Sequence, residues 1–353
     1  MNRPYTVLLI VPTGIGAAIG GYAGDALPVA RAMAQVADRL ITHPNVLNGA
    51  QLYWNLPNAL YVEGFGLDQV AAGRWGLRPV QQNRMGLVLD QGIEPDLRLR
   101  QLQAADATRA TLGLDLTEYV VTDAPLNVSL KTAASGATWG TIEHPDSLLR
   151  AVDKLIHQAG AQAIAVVARF PDDPGSIALQ HYRQGQGVDP LAGAEAVISH
   201  LVVRTFQIPC AHAPALSPLP LDSTISPRSA AEELGYTFLP CVLVGLSRAP
   251  QFIGANSKPQ PGDVWAEQID AAVIPATACG GSAIFSLSQS ATRIVTVMEN
   301  TTTLQVTPER LNISVLPVRS YLEAIGVLVC DRAGLRPTAL NPTITPLQGL
   351  VDW

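Results

Sequence analysis

The fold class follows from residues 6–25, which read TVLLIVPTGIGAAIGGYAGD. The first six residues are apolar or β-branched throughout, which is typical of a strand buried on both faces of a parallel sheet. A glycine-rich loop follows, and residues 25–40 then carry apolar side chains at helical spacing, with Asp25 as the candidate N-cap and Pro28 in the first turn. The order strand, glycine loop, helix predicts a βαβ unit.

Two later segments repeat this alternation. Asp146 begins a predicted amphipathic helix that Gly160 ends, and residues 163–168 follow as a buried strand. Residues 271–298 predict a strand, a glycine turn, a short helix and another strand. We therefore predict an α/β fold in which mostly parallel sheets are flanked by helices in Rossmann-like βαβ units. Further strands are predicted at residues 39–42, 86–90, 119–122 and 239–245.

The length of the chain allows two domains or one large domain. At roughly 100 to 200 residues per domain, 353 residues favour two. The stretch 170–188 is rich in Pro, Gly and polar residues, which is typical of a linker or a long surface loop. We place a soft boundary there, between an N-terminal α/β domain with the glycine-rich loop (1–170) and a C-terminal α/β domain (171–353).

Composition and charge exclude several classes of protein. Charged residues make up 15% of the chain and the net charge of -6 is spread without basic clusters, so we expect no nucleic-acid partner. No apolar run reaches the roughly 20 residues of a membrane span, so we expect a soluble protein. The four cysteines lack C-x-x-C spacing, which argues against a disulfide framework and against a metal site. We expect a cytoplasmic protein, and the sequence identifies no cofactor.

The glycine loop after the first strand is the first candidate for ligand binding. Its backbone N–H groups would face a phosphate or carboxylate at the N-terminus of a helix. The loop matches neither G-x-G-x-x-G nor the Walker loop, and tight turns at positive φ are the alternative explanation of its glycines. The ligand-binding candidates in this loop are Gly14, Gly16, Gly20, Gly21 and Asp25.

Cys279 is a candidate nucleophile. It lies in a glycine turn before a short predicted helix, where the positive end of the helix dipole would lower the pKa of the thiol. Gly280, Gly281 and Ser282 of the same turn are candidates for ligand binding. The alternative is a small buried cysteine without a chemical role.

Polar side chains also follow several predicted strands. Because the carboxyl ends of parallel strands meet at one edge of a sheet, we expect these side chains to form one pocket with the two glycine turns. His43 and Asp90 are the catalytic candidates at this edge, beside Cys279. The ligand-binding candidates there are Asn45, Asn48 and Asp123.

Two further groups of residues leave alternatives open. Glu195 and Ser199 share one face of a predicted helix, and burial of that face would raise the pKa of Glu195; the alternative is that the face meets solvent. Cys210 and His212 project from the same side of an extended segment, where a plain loop is favoured over a pair of metal ligands.

Three motifs carry a resemblance to a known family. They are GIGAAIGGYAGD at residues 14–25, THPNVLN at residues 42–48 and GVDPLAGAE at residues 187–195. The chain resembles a family of uncharacterised proteins from cyanobacteria and plastids, classed as a domain of unknown function, over most of its length. The resemblance implies a cytoplasmic or stromal setting in a photosynthetic organism, and it implies no activity.

These observations leave two principal functions open. The first is an enzyme acting on a small anionic metabolite that the glycine-rich loops bind, with Cys279, His43 or a strand-end carboxylate doing proton or covalent chemistry. The alternative is a non-catalytic ligand-binding or assembly protein of a photosynthetic organism. A dehydrogenase ranks third, because both glycine turns lack a full fingerprint. Assembly into a homo-oligomer stays open.

Overall fold

The computed structural model describes residues 3–49, 56–172, 174–233 and 238–349. The strands in these ranges are β1 (Thr6–Leu9), β2 (Arg39–Thr42), β3 (Ala59–Tyr61), β4 (Trp75–Arg78), β5 (Met85–Leu89), β6 (Leu116–Val121), β7 (Val128–Thr132), β8 (Thr138–Ile142), β9 (Ala163–Arg169), β10 (Cys210–Ala215), β11 (Gln251–Gly254), β12 (Ile269–Pro275), β13 (Arg293–Val297) and β14 (Leu316–Val318). The α-helices are α1 (Leu27–Ala34), α2 (Pro44–Leu47), α3 (Gly64–Ala71), α4 (Pro95–Leu112), α5 (Pro145–Ala159), α6 (Ile177–Arg183), α7 (Ala192–Phe206), α8 (Pro227–Glu233), α9 (Leu239–Ser247), α10 (Ser282–Leu287), α11 (Pro308–Leu311) and α12 (Tyr321–Arg332).

The first sheet is parallel and takes its strands from both ends of the chain. Its order is β14-β13-β12-β1-β2-β3. Numbered within the sheet, this is the order 3-2-1-4-5-6 of doubly wound nucleotide-binding sheets, which reverses direction between β1 and β12. In such sheets, ligands bind outside the carboxyl ends of the strands at the point of reversal.

The second sheet has the order β10-β9-β5-β6 and is also parallel. Two antiparallel pairs, β4 with β11 and β7 with β8, lie outside the two large sheets. These pairings confirm the predicted α/β class with parallel sheets.

Helices cover both faces of each large sheet. Along β1, Val7 and Leu9 pack in the core with α1 and α12, whereas Leu8 and Ile10 pack in the core with α3 and α10. This alternation follows from the two-residue period of a strand. In the second sheet, α4 and α9 lie in the core on one face and α5 and α7 in the core on the other.

Local signals place several elements where they were expected. Helix α5 ends at Gly160, whose φ of 68° is the left-handed conformation that favours glycine, and the buried strand β9 follows. The strand predicted at residues 239–245 is wrong, because this run forms helix α9. The run is apolar on every side, and a short buried helix and a buried strand share that pattern.

In both sheets, strands that precede residue 170 pair with strands that follow it. The first sheet joins β1, β2 and β3 to β12, β13 and β14, and in the second sheet β9 pairs with β10. The division of the chain into domains stays a prediction. Within the described ranges, every helix is too short or too polar to cross a bilayer.

Candidate functional site

A cavity of about 610 Å³ lies at the carboxyl edge of the first sheet. Its floor is formed by residues that follow four neighbouring strands of that sheet: Thr13 after β1, His43 after β2, Glu63 after β3 and Gly280 after β12. The point where the strand order reverses, between β1 and β12, therefore borders the cavity, as expected for a ligand site in a sheet of this order.

The remaining walls come from the second sheet and its connections. Helix α7 contributes Glu195, Ser199 and His200, and β10 contributes His212. Helices α6 and α8 complete the lining with Tyr182 and several residues of α8. The cavity therefore lies between the edge of one sheet and the α7 side of the other.

Buried Glu63 and the partly exposed His200 of α7 form a pair where the floor meets the wall. Glu63 is the N-cap of α3, where its Oε2 accepts hydrogen bonds from Phe65 N at 2.8 Å and Gly66 N at 3.3 Å. Its other carboxylate oxygen contacts Nδ1 of His200. Burial lowers the pKa of His200, but the hydrogen bond and charge of Glu63 outweigh burial, so the pKa lies above its ordinary value. The second ring nitrogen, Nε2, has no hydrogen bond to the described residues.

The pKa of His212 is shifted in the opposite direction from that of His200. Burial lowers its pKa to about 4, and the nearby charge of His200 acts in the same direction. Its Nδ1 lies 3.1 Å from Ser199 Oγ, and its Nε2 lies 3.8 Å from Glu195 Oε2. Of the three histidines that line the cavity, His43 and His212 have lowered pKa values and His200 has a raised one.

Four carboxyl groups of the lining have raised pKa values; one is Asp68, where burial is the cause, and the other three lie together. Burial raises the pKa of Asp189 to about 6, and burial with the charge of Asp189 raises the pKa of Glu232 to about 8. The pKa of Glu195 lies well above its ordinary value, first because of burial and then because of Asp189 and Glu232. Arg183 does not compensate them, because its guanidinium binds both carboxylate oxygens of Glu233, at 2.8 and 2.7 Å.

Helices α6 and α8 form a cap that rests on the glycine loop. The ring of Tyr182 stacks on Tyr22 at 4.5 Å, and its hydroxyl lies 2.7 Å from Glu232 Oε2 and 3.2 Å from the Gly21 carbonyl. Ala23 N donates to Glu232 Oε2 at 2.9 Å. The loop therefore supports the wall of the cavity instead of forming its floor.

The glycines of this loop have conformational roles and do not line the cavity. Gly20 has a φ of +92°, and a Cβ atom there would lie 2.4 Å from Val11 Cγ1. Gly14 has a φ of +69°, and its carbonyl accepts from Thr138 N at 2.8 Å. Gly16 and Gly21 border a second depression of about 600 Å³ on the other side of the loop. Tight turns and close packing account for these residues.

Asp25 is not the cap of helix α1. The N-cap is Ala26, which makes no side-chain cap bond, and the Asp25 carboxylate lies 3.2 Å from Arg228 of α8. Burial raises the pKa of Asp25 to about 6, against the lowering effect of Arg228. Asp25 therefore ties the loop to the cap and is not part of the cavity lining.

Cys279 lacks the activated thiol that the sequence predicted. The residue is fully buried, and burial raises the pKa of its thiol to about 11. The N-terminal end of α10 is already occupied, because Asp68 Oδ1 accepts a hydrogen bond from Ala283 N at 3.0 Å. Gly280 and Gly281 line the cavity, whereas Ser282 does not.

Asp90 and Asp123 lie away from the cavity because they follow strands of the second sheet. Asp90 is 1% exposed, and its carboxylate accepts hydrogen bonds from the backbone N–H groups of Gly92, Leu126 and Arg169. The Asp123 carboxylate is paired with an arginine of α5, which lowers its pKa. The prediction of one shared pocket assumed that all of these strands belong to one sheet. Asp90 and Asp123 follow strands of the second sheet, whereas His43 follows a strand of the first.

The candidates that follow β2 do line the cavity. His43 Nε2 accepts a hydrogen bond from Val11 N at 3.0 Å, and burial lowers the pKa of His43 to about 4. Asn45 Nδ2 donates to the Gly20 carbonyl at 3.0 Å, and Asn48 Oδ1 accepts from a tyrosine hydroxyl at 3.1 Å. These contacts fix the orientation of three polar side chains at the floor.

Most of the titratable side chains that line the cavity were not predicted from the sequence. The shared helix face of Glu195 and Ser199 was predicted, and both residues line the cavity. It did not identify Glu63, although an acidic residue between a short apolar run and a glycine is a signal for an N-cap. Within the ranges that the structure describes, no three His, Cys, Asp or Glu side chains are placed to hold a metal ion.

Comparisons with known proteins point to one family. A family model described as "Protein of unknown function (DUF3326)" matches residues 6–341. The chain is also 62% identical over 342 residues to a protein of the cyanobacterium Synechococcus sp. that is named an uncharacterized lipoprotein, and this match covers 97% of the chain and 95% of the relative. No solved structure matches the chain. The resemblance to an uncharacterised family with cyanobacterial members is confirmed.

Proposed function

Because this chain belongs to the DUF3326 family of proteins of unknown function, its activity has to be inferred from the cavity, and we propose that it is an enzyme of small-molecule acid–base chemistry. The observation that carries the proposal is that two of the three cavity-lining histidines, His200 and His212, have pKa values shifted in opposite directions. Titratable groups whose pKa values are separated in this way are typical of an acid and a base in one active site.

In this proposal, His212 is the general base and His200 the general acid. Neutral His212 has one ring nitrogen free of a proton, and its Nδ1 is oriented by Ser199. The Glu63 contact holds Nδ1 of His200 and favours its protonated form, so that Nε2 can deliver a proton into the cavity. The proposed reaction removes a proton from a bound small molecule and then returns a proton to it.

The lining disfavours the anionic metabolite expected from the sequence. Carboxyl groups outnumber cationic groups around the cavity, and the glycine loop directs no residue from Gly14 to Gly21 into it. A volume of about 610 Å³ suits a small organic molecule. We therefore propose a small-molecule substrate that is not an anion.

The test is turnover in heavy water. Native protein is incubated in D₂O with a small-molecule cell extract, and mass spectrometry records which compounds are converted or gain deuterium. We expect at least one compound to change with the native protein and not with His212→Gln or His200→Gln. His144→Gln and His157→Gln are the matched controls, because both histidines are exposed and lie outside the cavity lining.

One outcome would favour the alternative function. If a compound stays bound to the protein yet is recovered unchanged and without deuterium, the cavity serves a non-catalytic ligand-binding or assembly protein. Turnover that survives both His212→Gln and His200→Gln would contradict the assigned roles.

We also propose a cytoplasmic location. All four cysteines are buried and none forms a disulfide bond, which is in keeping with a reducing compartment. The word lipoprotein in the name of the Synechococcus relative describes that protein. Fractionation of cells into cytosol and membranes tests this proposal, and recovery in the membrane fraction would contradict it.

A further inference from the structure

One wall of the cavity is acidic and has no cation to balance it. We define the acidic wall as the part of the lining formed by the carboxyl groups of Asp189, Glu195 and Glu232 together with the neighbouring hydroxyl of Ser229. We propose that the ligand of this cavity carries an ammonium group, which binds to the acidic wall, and an apolar remainder. This inference rests on the proposed function, and it names the chemical class of the substrate.

Nearby cations are already engaged by other carboxylates. Arg183 is bound by both oxygens of Glu233, and the Nδ1 of His200 contacts Glu63. Arg228 of α8 is paired with Asp25. The other two histidines of the lining, His43 and His212, have pKa values lowered to about 4 and are neutral near neutral pH, so among the described residues no charged basic side chain of the lining is left to neutralise the acidic wall.

The hydrogen-bonding capacity of the wall is only partly used. Asp189 Oδ1 accepts from Leu191 N at 2.8 Å, and Glu232 Oε2 accepts from Ala23 N and faces the hydroxyl of Tyr182. The Nε2 atom of neutral His212 lies 3.8 Å from Glu195 Oε2, which is too long for a hydrogen bond. Acceptor oxygens therefore remain for a donor that enters the cavity.

Ser229 provides a second kind of polar group at this wall. The residue is 2% exposed and lines the cavity, and no hydrogen bond joins its hydroxyl to a described residue. Because the residue borders the cavity, its hydroxyl is available to a ligand there. Ser229 and Glu232 are three residues apart on α8 and share a face. An ammonium ion at this face would donate to both.

The cation is organic and not a metal ion. No group of three potential metal ligands is found in the ranges that the structure describes. The rest of the lining includes apolar side chains from both sides of the cavity, such as Leu67, Leu216 and Ile284. An ammonium group on a short hydrocarbon chain matches both parts of this surface.

Proton linkage provides a signature of this binding mode. Burial raises the pKa of Glu195 well above its ordinary value and that of Glu232 to about 8, and the groups facing them are Asp189, His212, Tyr182 and Asp25. An ammonium ion favours the ionised carboxylates, so its binding releases protons. Its affinity should therefore increase as the pH rises from about 6 to 8.

The experiment compares three probes of matched size: hexylammonium, 1-hexanol and hexanoate. Calorimetry on the full chain, in buffers of different ionisation enthalpy, measures affinity and the protons released. We expect hexylammonium to bind at least about tenfold more tightly than 1-hexanol, with hexanoate weakest, and to release protons.

Variants separate the acidic wall from the rest of the cavity. Glu195→Gln and Glu232→Gln should each weaken hexylammonium by about tenfold and reduce the protons released, with 1-hexanol unchanged as a measure of an intact cavity. Ser229→Ala should weaken hexylammonium by a smaller factor. Glu118→Gln, at an exposed residue of β6, is the matched control and should have no effect.

Two patterns of binding would overturn this inference without contradicting the proposed function. These are equal binding of hexylammonium and 1-hexanol, or tightest binding of hexanoate. Absence of binding by all three probes would also overturn it, and the heavy-water experiment then judges the enzyme proposal by itself.

Discussion

Replacement of Glu63 by Gln separates the charge of this residue from its capping role. Gln retains a side-chain oxygen that can accept the N–H groups of Phe65 and Gly66, so α3 keeps its N-cap. The substitution removes the negative charge of Glu63 that faces His200, and burial, the largest effect on the imidazole, is then opposed only by the weaker charge effect of Asp68. We expect the pKa of His200 to fall below the ordinary value of about 6.5.

The sign of the pH dependence follows from linkage. In the native protein, the raised pKa of His200 contributes stability that is fully present below about pH 6.5 and is lost as the pH rises through the folded-state pKa. In Glu63→Gln, the lowered pKa costs stability at acidic pH instead. Each pKa unit corresponds to about 1.4 kcal/mol. Because 44% of the His200 side chain is exposed, solvent screening reduces the effect, and we expect an additional loss of about 1 kcal/mol at pH 5 relative to pH 8.

Urea denaturation at pH 5 and pH 8 measures the free energy of unfolding, and NMR titration of the histidine ring protons measures the pKa directly. Asp153→Asn is the matched control, because Asp153 faces His157 at 3.8 Å on the exposed surface of α5. The control should change neither quantity. Equal destabilisation of Glu63→Gln at both pH values, or an unchanged pKa of His200, would refute the reasoning.

Three further predictions concern residues that the sequence singled out. Cys279 should resist alkylation at pH 8 in the native protein and react only after unfolding, because burial raises the pKa of its thiol to about 11; rapid labelling followed by mass spectrometry would contradict this. Asp90→Asn should lower the free energy of unfolding by about 2–3 kcal/mol, since one of its backbone donors would face an NH₂ group; a denaturation curve like that of the native protein would be the opposing result. Gly20→Ala should cost about 3 kcal/mol, because its Cβ would lie 2.4 Å from Val11 at a φ of +92°, and thermal unfolding at unchanged temperature would count against the turn role of this glycine.

The site could be predicted only where its residues lie next to a recognisable strand. His43, Asn45 and Asn48 follow β2 closely and line the cavity, at the sheet edge where the general rule for parallel sheets expects ligand sites. Asp90 follows β5 in the same manner, yet it supports backbone N–H groups of the second sheet. The chain carries no local signal of which sheet a strand joins, so the two cases look alike in the sequence.

The glycine loop shows a second limit. Five glycines after a buried strand suggest an anion site, and the same residues also permit the tight turns that seat the loop beneath the cap. Conformational freedom is a property of the glycine itself, whereas ligand contact depends on what packs against the loop. The positive φ angles were therefore predictable, and the side of the loop that faces the cavity was not.

The α/β class, the buried strand at the N-terminus, the amphipathic helix α5 and the family could all be inferred from the amino-acid sequence. These features depend on hydrophobic periods, caps and motifs within short stretches of chain, where physical preference is local. Only the tertiary structure decided that β1 lies beside β12 and that Glu63 meets His200. Such contacts join residues far apart in the chain, and the burial that shifts their pKa values exists only after both sheets have packed.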